Sequence, residues 1–373
     1  MITDGVVAVF PERHRNEPKM VVLTPREGED GKMDDTIIGV DLAKSVFQLH
    51  GATVAGEVLF CKKLSRAQLR QFMSDYPAAL VVFEACGSAS YWAREMTAFG
   101  HQVKLIAPQY VHPFVKRQKN DTADAEAIVI AARQPEMRFT LPKTEGQQTK
   151  AALFRSGERL VHQRTEIVNA VRSMLYEFGH VFPIGIAQLK RIEALIGAPD
   201  CGLPRLIIQE CEDLLAQISE QTKRIDEKTK SLKSLASQTD VARRLQTMPG
   251  VGPPVALAVE AFAPDMAQFE NGRAFAAWLG LVPGQFSSGG KQRLGRISKA
   301  GQADIRRLLI IGAMSRMNWL GQRTIAKTPW LDRMLARKPK LLVAVALANK
   351  MARQIWVMLT REEDYQDPAM SAA

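Results

Sequence analysis

The sequence has only four cysteines among 373 residues, and no two of them form a closely spaced pair. This spacing argues against structural zinc and against a disulfide framework, and it suits a reducing compartment. Long hydrophobic runs are also missing, because the apolar stretch 341–348 is far shorter than the roughly 20 residues that span a bilayer. The N-terminus lacks the cationic start and long apolar centre of a secretion signal. We therefore expect a cytoplasmic protein without a membrane segment.

Acidic residues are scarce in one segment of the chain. Residues 271–355 contain 16 Lys and Arg but only Asp304 and Asp332, a net charge of +14, whereas the whole chain carries +11. A solvated basic surface that aids solubility is the simplest explanation. An excess of one sign this large also favours a polyanionic partner, and nucleic acid is the partner that fits best.

The N-terminal part of the sequence predicts an α/β domain. Residues 1–33 are rich in charge, Pro and Gly, so we expect a disordered tail. Residues 34–146 then alternate between β-branched runs and helical patterns, and Ser65 with Gln68 forms a capping box at the first helix. The resulting order, βββαβαβ followed by a helix, is that of an RNase H-like domain. The predicted strands are 36–40, 46–52, 58–64, 79–83 and 102–106. The first predicted helix starts at Ser65, and the next two cover 88–99 and 122–133.

Beyond Pro142 the sequence predicts mainly helices. In 147–240, apolar residues recur every seven positions in two stretches, which predicts an antiparallel coiled-coil hairpin. Such a hairpin can act as a spacer, and its apolar seam also favours self-association. Residues 241–362 are predicted to form a mainly α C-terminal domain, with a tail at 363–373. The heptad residues are Leu153, Leu160, Ile167, Met174, Cys211, Ile218, Ile225 and Leu232.

Four carboxylates stand at strand ends or at the start of a predicted helix: Asp41, Glu84, Asp121 and Asp124. Each one alone has a structural explanation, as a turn residue, a strand-end charge, an N-cap or a favourable charge in a first helical turn. In an RNase H-like sheet, however, the first and fourth strands end side by side and the last helix crosses beside them. Converging carboxylates repel each other unless a cation neutralises them. The pattern therefore predicts a site for Mg²⁺ or Mn²⁺ that acts on a phosphodiester.

Basic and glycine-rich segments predict further contacts to nucleic acid. Lys116, Arg117 and Lys119 precede the predicted helix 122–133. At that place they would hold phosphates that flank the metal site. Gly250 and Gly252 lie in a segment, MPGVGPP, that is similar to the hairpin of a helix-hairpin-helix, whose backbone amides approach a phosphate. An ordinary turn between helices is the alternative.

One glycine-rich and serine-rich loop, 286–295, lies inside the basic segment and leads into Lys291, Arg293, Arg296 and Lys299. A flexible loop is the simplest interpretation of its Ser-Ser-Gly-Gly sequence. A serine hydroxyl beside Lys and Arg could also attack phosphorus while the cations offset charge in the transition state. Composition leaves both interpretations open.

Six segments together resemble the insertion-sequence transposases with an Asp-Glu-Asp-Asp site, a family also described as bridge-RNA-guided serine recombinases with a RuvC-like domain. The resemblance extends over about 37–357. The segments are 38–44 (IGVDLAK), 83–88 (FEACGS), 120–125 (NDTADA), 248–252 (MPGVG), 278–283 (WLGLVP) and 297–301 (ISKAG).

The resemblance implies a DNA transposase in which the four carboxylates hold metal and a serine after the Leu-x-Pro segment attacks DNA. That register points to Ser288, with the adjacent Ser287 as the alternative. It also implies a noncoding guide RNA that pairs with the element ends and the target DNA. A homo-oligomer, dimer or tetramer, would combine metal and serine domains of different subunits. The resemblance also implies that the protein lies in the bacterial cytoplasm and is associated with the nucleoid when it acts on DNA.

Two enzymatic functions and one function from a different class are compatible with these features. The first is an RNA-guided transposase with a covalent phosphoserine intermediate, which conserves the energy of the cut bond for rejoining. The second is a metal-dependent nuclease similar to a Holliday-junction resolvase, which activates water and forms no covalent complex. The third is a noncatalytic nucleic-acid-binding protein, which would bind without metal and cut no strand.

Overall fold

The computed structural model describes residues 35–115, 121–322 and 329–366. The described residues group into two compact units. The first unit contains the described residues up to Gln246 together with Gly252–Pro264, and the second contains Thr247–Val251 and the described residues from Asp265 onward. The predicted tail 1–33 lies outside the described residues, as does most of 363–373.

The first unit contains a six-stranded sheet in the order β3-β2-β1-β4-β5-β6. β1, β4 and β5 are parallel neighbours, β2 is antiparallel to β1 and β3, and β6 is antiparallel to β5. The predicted strands are confirmed, and their order and directions agree with the RNase H-like arrangement. β6 was not predicted. The strands are β1 (Thr36–Asp41), β2 (Val46–Thr53), β3 (Val58–Ser65), β4 (Leu80–Glu84), β5 (Gln102–Ile106) and β6 (Phe139–Thr140).

Helices cover both faces of this sheet. On one face Phe47 and Phe83 pack with Trp92 and other buried apolar residues. On the other face Ile37 and Val82 pack with Ile128 and Val129 of the helix that begins at Asp121. The predicted capping box is confirmed, since Gln68 N donates to Ser65 Oγ and Ser65 N donates to Gln68 Oε1. The helices are α1 (Arg66–Asp75), α2 (Ala89–Ala98), α3 (Pro108–Val111) and α4 (Asp121–Ala132).

A helical hairpin completes the first unit. Its two long helices are antiparallel, because Met174 contacts Cys211 and Arg164 donates to Thr222. Three predicted heptad residues of the second helix, Cys211, Ile218 and Leu232, are buried, whereas Ile225 and the four residues predicted in the first helix are half-buried. The buried seam residues of the first helix are Ala151, Phe154, Val168, Val171 and Leu175. The helices are α5 (Glu145–Glu177), α6 (Leu189–Ile196), α7 (Arg205–Gln238), α8 (Asp240–Gln246) and α9 (Pro253–Phe262).

Helix α9 is fixed to this hairpin by polar and aromatic contacts. Lys150 of α5 forms an ion pair with Glu260 of α9, and Thr239 Oγ1 donates to the other Glu260 oxygen at 3.0 Å. The rings of Phe154 and Phe262 meet edge to face with their centroids 5.4 Å apart. These contacts attach α9 to two separate parts of the hairpin.

The second unit is mainly helical around a short β-hairpin. Its last helix is long and apolar enough to cross a bilayer, but Val343, Leu347 and Met351 are buried in the unit, as in the core helix of a folded domain. Gly250 approaches Gly312 closely, since a Cβ on Gly250 would lie 2.7 Å from the Gly312 carbonyl oxygen. The elements are α10 (Gly272–Trp278), β7 (Pro283–Gln285), β8 (Leu294–Ile297), α11 (Ala303–Gln322), α12 (Pro329–Arg337) and α13 (Lys340–Arg361).

Candidate functional site

Two of the candidate carboxylates stand at the same edge of the sheet. Asp41 is the last residue of β1, and Glu84 is the last residue of β4. The two strands are parallel with Val40 paired to Phe83, so the carboxylates are the next residues at neighbouring strand ends. Both residues are half-buried. Strand pairing therefore sets their relative position.

Helix α4 supplies a third carboxylate beside these strands. A Cβ on Gly39 would lie 2.6 Å from the Ala125 carbonyl oxygen and 2.7 Å from Cγ2 of Val129, so only glycine lets α4 pack this closely on β1. Asp124 lies in the first turn of α4 and is half-buried. Asp121 is the first residue of the helix, and its side chain lies outside the described residues, as do Lys116, Arg117 and Lys119.

The carboxylates influence one another electrostatically. Burial raises the pKa of Glu84 above its ordinary value, the negative charges of Asp41 and Asp124 raise it further, and His112 lowers it. His112 belongs to the short turn that follows α3. Sequence reasoning missed it, because a single histidine between Val111 and Pro113 has no spacing that relates it to the carboxylates. The fold brings it to the same charge cluster.

The chemistry of this cluster fits a hard divalent cation. Its donors are carboxylate oxygens, the ligands that Mg²⁺ and Mn²⁺ prefer. A cation would offset the repulsion from Asp41 and Asp124, which adds to burial in raising the pKa of Glu84. Among the described side chains, which do not include that of Asp121, no three His, Cys, Asp or Glu groups could hold an ion as they stand. The four-ligand site therefore stays a prediction.

The predicted loop at 286–295 lies in a β-hairpin, where it connects β7 to β8 and contributes its last two residues to β8. β7 and β8 pair antiparallel, and the pairing continues to Ser288 and Lys291 at the tip. Gly289 and Gly290 have φ angles of 55° and 75°. A two-residue hairpin turn of type I′ requires positive φ at both central positions, which glycine adopts without strain. The glycines therefore build an ordered turn.

The register of this hairpin separates the two candidate serines. Gln285 pairs with Leu294, Phe286 N donates to Arg293 O at 2.8 Å, and Ser288 pairs with Lys291. Side chains alternate between the two faces of a β-ribbon. One face therefore carries Phe286, Ser288, Lys291 and Arg293, and the opposite face carries Gln285, Ser287, Gln292 and Leu294.

The hydroxyl of Ser287 is already engaged within the hairpin. Its oxygen accepts hydrogen bonds from Gln285 Nε2 at 3.1 Å and from Arg293 N at 3.2 Å. Ser288 is exposed at the tip, and its backbone carbonyl accepts from Lys291 N at 3.1 Å. The two serines thus differ in face and in hydrogen bonding.

The predicted cations Lys291, Arg293, Arg296 and Lys299 are all exposed on or next to the hairpin. A fifth basic residue, not predicted, anchors its base. Arg306 Nη1 donates to the carbonyl oxygens of Leu279 at 2.8 Å and Ala300 at 2.7 Å. Its role depends on contacts between segments distant in sequence, so the sequence pattern offered no signal for it.

The MPGVGPP segment differs from a typical phosphate-binding hairpin. Gly250 has a φ of 91°, and because it has no side chain its backbone approaches Gly312 closely. Pro253 and Pro254 occupy the first two positions of α9 and have no N–H to donate. Phosphate binding at Gly250 and Gly252 stays a prediction, with few backbone donors available.

Comparison with protein families gives two matches. Residues 242–328 match the family described as Transposase IS116/IS110/IS902. Residues 38–180 match a DEDD transposase family of IS110 type. The first match contains the β-hairpin, and the second contains the sheet with its carboxylates.

Curated relatives cover most of the chain. A probable family 20 transposase of Pseudomonas aeruginosa is 43% identical over 331 residues, which span 88% of this chain and 98% of the relative. The transposase for insertion sequence element IS1328 of Yersinia enterocolitica is 39% identical over 87% of this chain and 97% of its own length. The transposase for insertion sequence element IS1111A of Coxiella burnetii is 37% identical over 89% and 92%.

Among solved structures, RuvC of T. thermophilus in complex with a Holliday junction substrate is similar to part of this chain. The likeness covers 28% of this chain and 98% of RuvC, with 14% sequence identity and a TM-score of 0.23. A likeness this weak does not determine function.

Proposed function

This chain belongs to the IS116/IS110/IS902 family of insertion-sequence transposases, and from that premise we propose that it cuts and rejoins DNA through a covalent intermediate on Ser288. The enzyme is a DNA transposase by family. The proposal adds the identity of the nucleophile, the ion and the partners.

The observation that carries the proposal is that the two candidate serines lie on opposite faces of the β-hairpin. Ser288 shares one face with Lys291 and Arg293, whereas Ser287 lies on the other face and accepts two hydrogen bonds. Two cations beside a hydroxyl attract a DNA phosphate and offset the negative charge that develops on it. A hydroxyl oxygen that already accepts two N–H bonds is poorly placed to attack phosphorus.

The proposed step conserves one phosphodiester. The Ser288 Oγ–P bond forms as the P–O bond to one deoxyribose oxygen breaks, the serine gives up its proton, and the leaving oxygen gains one to become a hydroxyl. In rejoining, a deoxyribose hydroxyl attacks the serine-bound phosphorus and the serine recovers its proton. Because the ester keeps the energy of the original bond, no nucleotide cofactor is required.

The carboxylate edge serves the same reaction in this proposal. Asp41, Glu84, Asp121 and Asp124 would hold Mg²⁺ or Mn²⁺, as membership of a DEDD transposase family implies for a divalent metal in general. A bound divalent cation stabilises charge on the attacking and leaving oxygens at a phosphodiester. The chain itself sets the spacing of the ligands through the pairing of β1 with β4 and the packing of α4 on Gly39.

The proposal includes a noncoding guide RNA and a homo-oligomer, both implied by resemblance rather than by any contact within the chain. The net charge of +14 over residues 271–355 supports a polyanionic partner, whether DNA or RNA. Base pairing by such an RNA would select the element ends and the target, while the protein would read backbone and shape.

The test is to trap and map the serine–DNA bond. Wild-type protein with a nicked DNA substrate should give a denaturant-resistant adduct, and peptide mapping should locate the DNA on Ser288. Ser288→Ala should bind nucleic acid as before and form no adduct, because one exposed hydroxyl contributes little to folding. Ser287→Ala is the matched control and should still form the adduct.

Two results would contradict this assignment. An adduct on Ser287 or Ser298, or normal cutting by Ser288→Ala, would show that another group attacks. Metal-dependent cutting without any adduct would instead favour the water-activating nuclease.

A further inference from the structure

An aromatic side chain stands exposed on the basic hairpin. Phe286 is 69% exposed, although a phenylalanine is ordinarily among the most buried residue types. It lies directly after β7 and two residues before Ser288. The hairpin thus presents an apolar ring to solvent within the most basic part of the chain.

The ring of Phe286 is held in place by two glycines. A Cβ on Gly295 would lie 2.6 Å from its Cε2 atom, and a Cβ on Gly284 would lie 3.5 Å from the same atom. Gly284 belongs to β7 and Gly295 to β8. The ring therefore lies across the backbone of both strands, where a side chain at 295 would collide with it and one at 284 would touch it. Such seating orders the ring and leaves most of it accessible.

From this arrangement we propose that Phe286 is a stacking platform for a DNA base next to the phosphate that Ser288 attacks. The inference rests on the proposed function of Ser288. Phe286, Ser288, Lys291 and Arg293 share one face of the hairpin by the pairing given above. Two residues along a strand span about 7 Å, so a phosphate at Ser288 and a base at Phe286 belong to nearby nucleotides.

The surroundings of the ring favour a nucleobase over an apolar protein surface. Lys291 and Arg293 are exposed on the same face as the ring and attract a phosphate backbone. A cationic rim with an aromatic centre is the composition of surfaces that bind unpaired nucleic acid, in which bases stack on aromatic rings. A stacked base would hold the strand in place while the serine attacks.

The test compares the affinity for a single DNA strand that carries bases with the affinity for one that lacks them. Full-length Ser288→Ala protein, in buffer without divalent metal, would be titrated with an oligothymidylate and with an abasic oligomer of equal length. Phe286→Leu should weaken binding of the oligothymidylate by about 5- to 150-fold, the range typical of one stacked base, and leave binding of the abasic oligomer unchanged. Phe286→Tyr should restore the affinity, because it keeps an aromatic face.

Leu294 provides a matched control on the opposite face. It is 58% exposed on the same hairpin, so Leu294→Ala removes exposed apolar surface without an aromatic ring and should bind both oligomers as the parent does. Phe286→Leu should also leave the salt dependence of binding unchanged, because no charge is lost.

The outcomes separate this inference from the assignment of Ser288. The titration requires no cutting, so it can be read even if Ser288 forms no adduct. Equal binding of the two oligomers by the parent protein, equal losses on both oligomers in Phe286→Leu, or a changed oligomeric state in that variant would overturn the stacking role. The last result would assign the ring to a protein contact.

Discussion

The carboxylate edge and the serine hairpin are held by different physical means. Asp41 and Glu84 follow Val40 and Phe83, which are fully buried in the core of the sheet. Ser288 stands on an exposed two-stranded ribbon, where a glycine turn and a few backbone hydrogen bonds set its position. Changes near the carboxylates should therefore act through the core of the first unit, and changes in the hairpin should act locally.

The largest expected effect is at the carboxylates. Asp124→Asn and Asp121→Asn should each lower DNA cutting more than about 100-fold, because even changes behind a metal ligand typically cost about 10- to 100-fold. Binding of DNA should persist, since the substitutions alter charge with little change of shape. Cutting assays in Mg²⁺ measure this, with exposed Glu136→Gln as the control. Wild-type rates in both variants would remove the metal site from the mechanism.

Gly39, which lies two residues before Asp41, tests whether the carboxylates depend on packing in the core. Gly39→Ala should lower the free energy of unfolding by about 1–3 kcal/mol, the usual cost of overpacking, because its Cβ would collide with α4. Gly157→Ala, in α5 with open space around it, should instead stabilise the protein by about 0.5–1 kcal/mol. Urea titration followed by circular dichroism compares the two. Equal stability of both variants would mean that α4 does not pack on Gly39.

A glycine in the hairpin should behave in the opposite way. Gly290→Ala forces a side chain into a left-handed conformation at a cost of about 1–2 kcal/mol, which should lower adduct formation about 5- to 30-fold without changing the unfolding midpoint. Gly289→Asn keeps the Asn-Gly pair favoured in type I′ turns and should remain active. A drop in the unfolding midpoint of Gly290→Ala would show that the hairpin is coupled to the core.

The hairpin cations should affect the salt dependence of binding. Arg293→Ala and Arg296→Ala should each reduce the slope of log affinity against log salt by about 0.9 on duplex DNA. Arg224→Ala, which removes an exposed i,i+4 ion pair in the helical hairpin, should leave the slope unchanged. Fluorescence anisotropy at several salt concentrations gives these slopes. Unchanged slopes in the two single variants and in their double variant would show that the basic segment is a solvated surface that does not contact phosphates.

The smallest expected effect is a pH-dependent gain in stability. The pKa of Glu84 is raised in the fold, so its ionisation opposes folding as pH rises through that pKa. In metal-free protein, Glu84→Gln should therefore raise the thermal midpoint at neutral pH. The gain should vanish below the ordinary value of 4.5, where the carboxyl is neutral in both folded and unfolded states. A pH-independent gain would assign the effect to packing.

Much of the first unit could be predicted from its sequence. The buried strands have strong β-branched patterns, and Ser65 and Gln68 mark the start of α1 by a local hydrogen-bond pattern. The positions of Asp41 and Glu84 followed from strand order, because parallel neighbours end at the same edge. His112 could not be predicted in this way, since its place depends on how the turn after α3 packs.

Features that depend on distant contacts were not predicted. The buried residues Phe154, Val168 and Leu175 of α5 are spaced by multiples of seven, but each lies one residue after a predicted heptad position. Both sets of positions are apolar, so the sequence pattern did not distinguish which of them is buried. The hairpin at Ser288 was interpreted as a loop because glycine and serine are common in both loops and tight turns. Gly250 resembled a phosphate-binding glycine, yet its space is filled by the approach of Gly312.

The route of the chain between Gln246 and Asp265 has a practical consequence. Residues 247–251 belong to the second unit, whereas residues 252–264 return to the first, where Glu260 joins Lys150 and Thr239. No single cut of the chain can therefore release both units intact. A fragment ending at Gln246 would lack α9 and leave the Phe154 ring without its partner Phe262. Such a fragment should therefore be less stable than the same unit within the full chain.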